Sequence, residues 1–229
     1  VFGSEADYPE VYSIAKHRTA NKGKPSVKRI WSDWHADITA AVNPPFGSIL
    51  RGEIVPPYGG DTHWVNLAAA YQALSPALRD FLGGLHAIHR FSLPDDDSQG
   101  GGYRARLKAA DLVAEHPLIT VHPETGERIL FVSPNFVKSI IELEPREGQA
   151  ILEMLWEHVV RPEFMVRFKW EPGSIAFWDN RATLHLAPSD IFATDFDRQF
   201  YRVTLNGQVP VGVDGEPSRR MSGQKIEPV

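Results

Sequence analysis

The chain contains no cysteine. This excludes a disulfide framework and any thiolate metal site, so a bound metal would have to be held by histidine, carboxylate and water. Such a donor set suits Fe(II), Mn(II) or Zn(II). No apolar stretch approaches the roughly 20 residues needed to cross a bilayer, and no signal-peptide pattern is visible. A soluble cytoplasmic protein without a membrane partner is the expectation. No lysine/arginine run stands out and the net charge is −5, so there is no basic field for nucleic acid.

What is present is enough for a full core. With 229 residues, 42% of them hydrophobic, one domain over 1–229 is the simplest organisation. Strands are expected at Tyr8–Ala15, Ile30–Thr39, Ser48–Val55 and Thr62–Asn66. Lys16–Lys28 reads as a solvated loop, and the Pro-rich turn Asn43–Gly47 as a lid with stiff ends. Leu67–Leu85 has helical periodicity, with Ser75-Pro76 marking a fresh start. Pro94–Gly102 is a loop by composition; its three adjacent Asp lack the spacing and the Glu of an EF-hand. Tyr103–Ala114 reads as a short helix, and His116–Pro123 with Arg128–Val132 as a hairpin. An amphipathic helix is expected at Pro145–Val160, with Ile151, Leu152, Leu155, Trp156 and Val159 on one face. Strands at Phe164–Trp170, before His185 and at Arg198–Asn206 complete the chain. His86, His89, His116 and His122 read as structural. Many short strands with Gly/Pro turns and a few helices predict a β-sandwich or closed barrel covered by helices.

One stretch stands apart. In Trp31-Ser32-Asp33-Trp34-His35-Ala36-Asp37, an imidazole and a carboxylate sit two residues apart, which on a strand puts both on one face. A His-x-Asp pair alone is equally compatible with a surface hydrogen bond. A third donor, His185, closes the run Trp178-Asp179-Asn180-Arg181-Ala182-Thr183-Leu184-His185. Two His and one carboxylate on one face of a metal, with the other face open, is the facial triad of non-haem Fe(II) oxygenases.

Together with Gly59-Gly60-Asp61-Thr62 and the later Arg198 and Arg202, this order of motifs resembles the TauD/TfdA family of Fe(II)/2-oxoglutarate-dependent dioxygenases, from about Tyr8 to about Ser222. The resemblance implies a mainly β fold with flanking helices, a double-stranded β-helix (jelly-roll, cupin-like) core. It implies His35, Asp37 and His185 as iron ligands, and Fe(II), 2-oxoglutarate and O₂ as the reaction's metal and cosubstrates. Thr62 and Arg198 would take the distal carboxylate of 2-oxoglutarate, and Arg202 would meet its metal-binding end or the substrate anion. Asp179, Asn180 and Arg181 would hold the turn that aims His185. The reaction implied is oxidative decarboxylation of 2-oxoglutarate to succinate and CO₂, coupled to hydroxylation of a substrate C–H.

Taurine-type members carry an Asn four residues before the first iron His, where this chain has Trp31. Trp31, Phe46, Trp64 and Phe136 could line a bulkier, apolar pocket, although each could equally be core. The expected substrate is a small anion with an apolar tail: an alkyl sulfate ester or sulfonate first, an aryloxyalkanoate second. Relatives carry an additional strand–helix segment before a similar Phe-Gly, so the resemblance implies a missing N-terminal stretch, and a homo-oligomer, dimer or tetramer. Two other readings compete: a cupin-like Zn or Mn enzyme that needs no 2-oxoglutarate, and a jelly-roll binding module whose triad is only a hydrogen-bonded cluster.

Overall fold

A computed structural model describes residues 8–15, 29–91, 110–187 and 189–227. The expected loops at Lys16–Lys28 and Pro94–Gly102 lie outside or almost wholly outside those residues, as does most of the expected helix at Tyr103–Ala114. The described end of that helix, Val113–Ala114, is already strand.

Two sheets enclose the site. The first has the order β1 (Val11–Ala15), β12 (Gln199–Leu205), β2 (Gly47–Ile54), β10 (Ile175–Asp179), all antiparallel. The second has the order β11 (Thr183–Leu186), β3 (Thr62–Asn66), β9 (Met165–Phe168). Leu50, Trp178 and Phe200 from the first meet Trp64 from the second in one buried cluster closed by Trp170. Large inward-facing aromatics alternate with outward residues along these strands, which keeps the sheets apart and leaves an interior between them. This mainly β double sheet is a jelly-roll core.

A third sheet, β13 (Arg219–Ser222), β5 (Val113–Pro117), β4 (His86–Arg90) and β8 (Val137–Ile140), and the short pair β6 (Ile119–Val121) and β7 (Arg128–Leu130), pack beside it. The hairpin expected from His116 is therefore split at Leu118. There the backbone leaves its neighbour to donate to Leu85 and accept from Phe131.

Helices cover one flank. Asn66 caps α1 (Leu67–Gln72) by accepting from Ala69 N at 2.9 Å. Ser75 caps α2 (Pro76–Leu82), with Pro76 in the first turn. The long helical pattern thus becomes two short helices, because Ser75-Pro76 favours a start over continuation. In α3 (Pro145–Val159), Glu147 reaches back to the backbone of Glu144, and Leu152, Leu155, Trp156 and Val159 are buried. Ile151, expected on that face, is only partly buried. Among the described residues no helix is long and apolar enough to cross a membrane.

Candidate metal centre

The segment expected as a strand, Ile30–Thr39, is a series of tight turns. Asp33 (φ 71°) and Ile38 (φ 46°) take left-handed backbone, a region that a β-branched residue enters only under constraint. The first turn brings the Asp33 carbonyl to His35 Nδ1 at 2.8 Å. A carbonyl only accepts, so Nδ1 carries the hydrogen and Nε2 keeps its lone pair. Strand geometry survives at one point: His35 and His185 exchange backbone hydrogen bonds, 3.1 and 2.8 Å, in an isolated antiparallel bridge. Two donors 150 residues apart in sequence are thereby stitched directly together, with their rings 4.3 Å apart.

Asp37 is buried between both halves of the site. Its Oδ2 accepts from Ser48 Oγ at 2.8 Å and from Asn180 Nδ2 at 3.4 Å, and Arg202 Nη1 donates to Oδ1 at 3.1 Å. Burial alone would raise this carboxyl. Arg202, His185 and His35, together with the Ser48 hydroxyl, outweigh it and hold Asp37 well below the usual carboxylate range. His185 Nε2 lies 3.9 Å from Asp37 Oδ1. Burial, then the neighbouring His35, push the His185 ring down to about 3, so it is neutral. One donor atom each from His35, Asp37 and His185 falls within 4.8 Å of the others. Two imidazoles, each with a ring nitrogen able to coordinate in its neutral form, and an ionised carboxylate at mutual distances one ion can bridge fit a divalent metal.

The turn before His185 is locked from several sides. Arg181 donates to the Asp179 carboxylate through Nε and Nη2, His122 Nε2 donates to it at 3.0 Å, and Thr183 Oγ1 donates to the Asp179 carbonyl at 2.6 Å. His122 keeps this tautomer because its Nδ1 accepts from Thr125 N. Asn180 does something different from the expectation. Besides its bond to Asp37, its Oδ1 accepts from Trp178 Nε1 at 3.0 Å and from Asp37 N at 3.4 Å, and its Nδ2 reaches Ser48 at 3.2 Å. It holds the carboxylate ligand rather than the His185 turn. Ser48 was missed from the sequence altogether, since only the fold brings the start of β2 against the turn that carries Asp37.

Arg198 and Arg202 lie on one face of β12 and its entry, with buried Phe200 between them. Arg198 Nε and Nη2 donate to the Gly60 carbonyl at 3.3 and 3.1 Å, and its guanidinium lies 3.9 Å from the Phe200 ring centre. Burial pushes Arg198 down to about 10, against the pull of Asp190 and Asp61, so it remains a cation at neutral pH. Gly60 has φ 71°, and a Cβ there would sit 2.8 Å from Arg198 Nε, so only glycine admits this approach. Thr62, two residues on, is buried and its Oγ1 accepts from Trp170 Nε1 at 2.9 Å, which leaves its own hydrogen to donate. Arg198 and the Thr62 loop thus mark one end of the interior, and Arg202 with Asp37 the other.

The apolar candidates separate. Trp64 pairs in register with His185 and packs on Trp178. Phe136 packs with Ile38, next to Asp37. Trp31 lies in the main core against Trp156 of α3, and Phe46 meets Phe177 and the Arg181 guanidinium. The Pro-rich turn expected as a lid is fastened down. Asn43 exchanges two hydrogen bonds with the Ile226 backbone, both 2.9 Å, and Phe46 N donates to the Leu205 carbonyl.

A jelly roll that brings two His and one Asp within reach of one another, with a half-buried Arg at the other end, has the donor arrangement of a facial-triad metal site. The chain belongs to the taurine catabolism dioxygenase TauD, TfdA family, whose sequence model matches residues 1–204. It is 42% identical over 195 residues to an alpha-ketoglutarate-dependent sulfate ester dioxygenase of Pseudomonas putida, covering 82% of this chain and 64% of that protein. It is 35% identical to an alkylsulfatase of Acinetobacter baylyi, covering 80% and 59%. The chain therefore spans less than two thirds of these relatives' lengths. A solved taurine dioxygenase from Burkholderia xenovorans superposes with a TM-score of 0.84 at 56% identity, covering 98% of this chain and 71% of that one.

Proposed function

We propose that the chain forms the core of an Fe(II)- and 2-oxoglutarate-dependent dioxygenase acting on small alkyl sulfate esters. The observation that carries the reading is the convergence of His35, Asp37 and His185 within 4.8 Å inside the jelly roll. When bound there, Fe(II) would supply chelation of the 2-oxo acid and activation of O₂ for hydroxylation of a substrate C–H.

The chain's own residues define the rest. Thr62 and Arg198 bind the distal carboxylate of 2-oxoglutarate: a half-buried cationic fork and a hydroxyl with a hydrogen to donate suit a dianion in a partly dry interior. Arg202, already against Asp37, orients the anionic end of the cosubstrate or of the substrate. Ser48 and Asn180 keep Asp37 fixed while these anions come and go. Trp64, Trp178 and Phe200 keep water from the interior.

A sulfate ester is favoured over taurine because the first two relatives above act on sulfate esters by name, and because the position that holds an Asn in taurine-type members is Trp31, packed into the core. Hydroxylation of the carbon bearing the ester oxygen gives a hemiacetal-like product, which expels sulfate as the C–O bond breaks and leaves an aldehyde. 2-Oxoglutarate becomes succinate and CO₂.

The test is turnover with Fe(II), ascorbate and 2-oxoglutarate in air, measuring succinate and inorganic sulfate. Equimolar succinate and sulfate from hexyl sulfate, above the substrate-free rate, is expected. Succinate driven by taurine or phenoxyacetate but not by hexyl sulfate would overturn the substrate assignment. No succinate with any of them would overturn the dioxygenase reading.

A further inference from the structure

The family match ends at residue 204, yet the chain beyond it returns three times, once through His116, to the segment that directly follows His35 and Asp37. Directly after β12, Gly207 crosses Pro44 so closely that a Cβ at 207 would lie 1.7 Å from the Pro44 carbonyl oxygen. The chain then docks on β6, where Val121 N donates to the Val211 carbonyl, and turns back so that Ser218 N donates to Pro210. There Ser218 Oγ meets His116 Nδ1 at 2.7 Å, and His116 Nε2 reaches the Thr39 carbonyl at 2.8 Å. The carbonyl accepts, so Nε2 carries the hydrogen, and Nδ1 of the neutral ring is left as an acceptor for the Ser218 hydroxyl, whose one hydrogen is shared with the Pro210 carbonyl at 3.0 Å. After β13 pairs with β5, Ile226 closes the two-bond clasp on Asn43.

The Gly207 crossing, the Thr39 end of the Ser218–His116 chain and the Ile226 clasp all fall within Thr39–Phe46, just after Asp37. His89, whose ring packs against His116 at 4.7 Å, adds a further hold, hydrogen bonded to Thr39 Oγ1 at 2.9 Å. The held segment follows a residue under strain, Ile38 at φ 46°, and Ala40, Ala41 and Val42 are buried. A strained turn persists only where its surroundings over-determine it.

We propose that residues 207–227 form a strap that positions the His35–Asp37 turn for metal binding, acting through Ser218–His116–Thr39 and through Ile226–Asn43. These are positioning residues, since none touches the donor atoms. The inference rests on the metal-centre reading above, but its first readout does not need a metal.

The experiment compares wild type, Asn43→Ala, Ser218→Ala and Ser218→Thr with Arg219→Ala, which removes only an exposed contact of β13 with Glu115. Amide exchange is followed on the metal-free protein, and Mn(II) binding by electron paramagnetic resonance. Asn43→Ala and Ser218→Ala are expected to speed exchange at residues 35–42 at least tenfold, leaving β2 and β3 unchanged, and to raise the Mn(II) Kd about tenfold. Ser218→Thr, which keeps the hydroxyl, and Arg219→Ala should match wild type. Faster exchange confined to 224–227, a uniform rise across β2 and β3, or an unchanged Kd would each overturn the strap. If wild type binds no Mn(II), the metal-centre reading fails, and the exchange pattern alone decides whether the strap holds the turn.

Discussion

Asp37 shows how a single carboxylate can be made a reliable ligand. Its Oδ2 is committed to Ser48 and Asn180, so Oδ1 is the oxygen presented to His185 and to Arg202. Removing Ser48's hydroxyl leaves one oxygen free to rotate. Ser48→Ala is expected to raise the Fe(II) or Mn(II) Kd about tenfold with little change in folding, measured by equilibrium dialysis and circular dichroism. Arg198 is a separate case, because its charge lies at the end of the interior proposed to take the distal carboxylate of 2-oxoglutarate. Arg198→Ala is expected to raise the KM for 2-oxoglutarate roughly 30- to 100-fold, about 2–3 kcal/mol, with a smaller effect on kcat; Arg198→Lys should recover part of it. Unchanged steady-state KM in Arg198→Ala would remove Arg198 from the cosubstrate site. The donors and both arginines were legible as residue types at ordered positions. Ser48 and Asn180 were not legible in these roles, because nothing local to a Ser at a strand start or an Asn in a turn reveals a carboxylate 11 or 143 residues away.

At the scale of elements, the ligand-bearing stretch departs most from its pattern. Apolar, aromatic residues around His35 and Asp37 suggest a strand, but left-handed Asp33 and Ile38 bend the chain so that only His35 keeps a strand-like bridge and Asp37 arrives from a turn. Burial there comes from neighbouring elements, so the hydrophobic pattern was right about burial and wrong about conformation. Helices were more legible, because caps such as Ser75 and Glu147 act within one turn of their own sequence. Strands β8 and β13 were not, since short polar segments pair only because β4 and β5 offer them an edge. The Asn43–Gly47 turn, expected to move, is caught between Leu205, Gly207 and Ile226. Gly207→Ala must push the backbone away from Pro44 and is expected to cost about 3 kcal/mol, read as a lower denaturation midpoint at unchanged m-value. A midpoint within experimental scatter of wild type would mean that this crossing is loose.

For the whole molecule, the buried His89–His116 pair ties stability to pH. Both rings are fully buried, 4.7 Å apart, and burial pushes His116 down to about 4 and His89 well below its ordinary value. Above pH 6.5 these rings are neutral folded or unfolded, and their contribution is fully present. As pH falls from 6.5 towards 4, the unfolded chain takes up protons that the folded chain refuses, so stability drops, by roughly 3 kcal/mol for His116 alone. Denaturant unfolding at pH 7.5 and pH 4.5 should show this loss, and His116→Gln should flatten it. The two-sheet architecture was legible mainly through the order of the motifs, since strand patterns alone left sandwich and barrel open. Its central consequence, on the proposed function, is an interior that would hold a metal at one end and the distal carboxylate of 2-oxoglutarate at the other. Anaerobic titration with Fe(II) and 2-oxoglutarate, recording the visible charge-transfer absorption of the chelate, tests that directly. The account predicts a band in wild type that is lost or weakened in Arg198→Ala, and a folded, Fe(II)-loaded protein that shows no band with 2-oxoglutarate would contradict it.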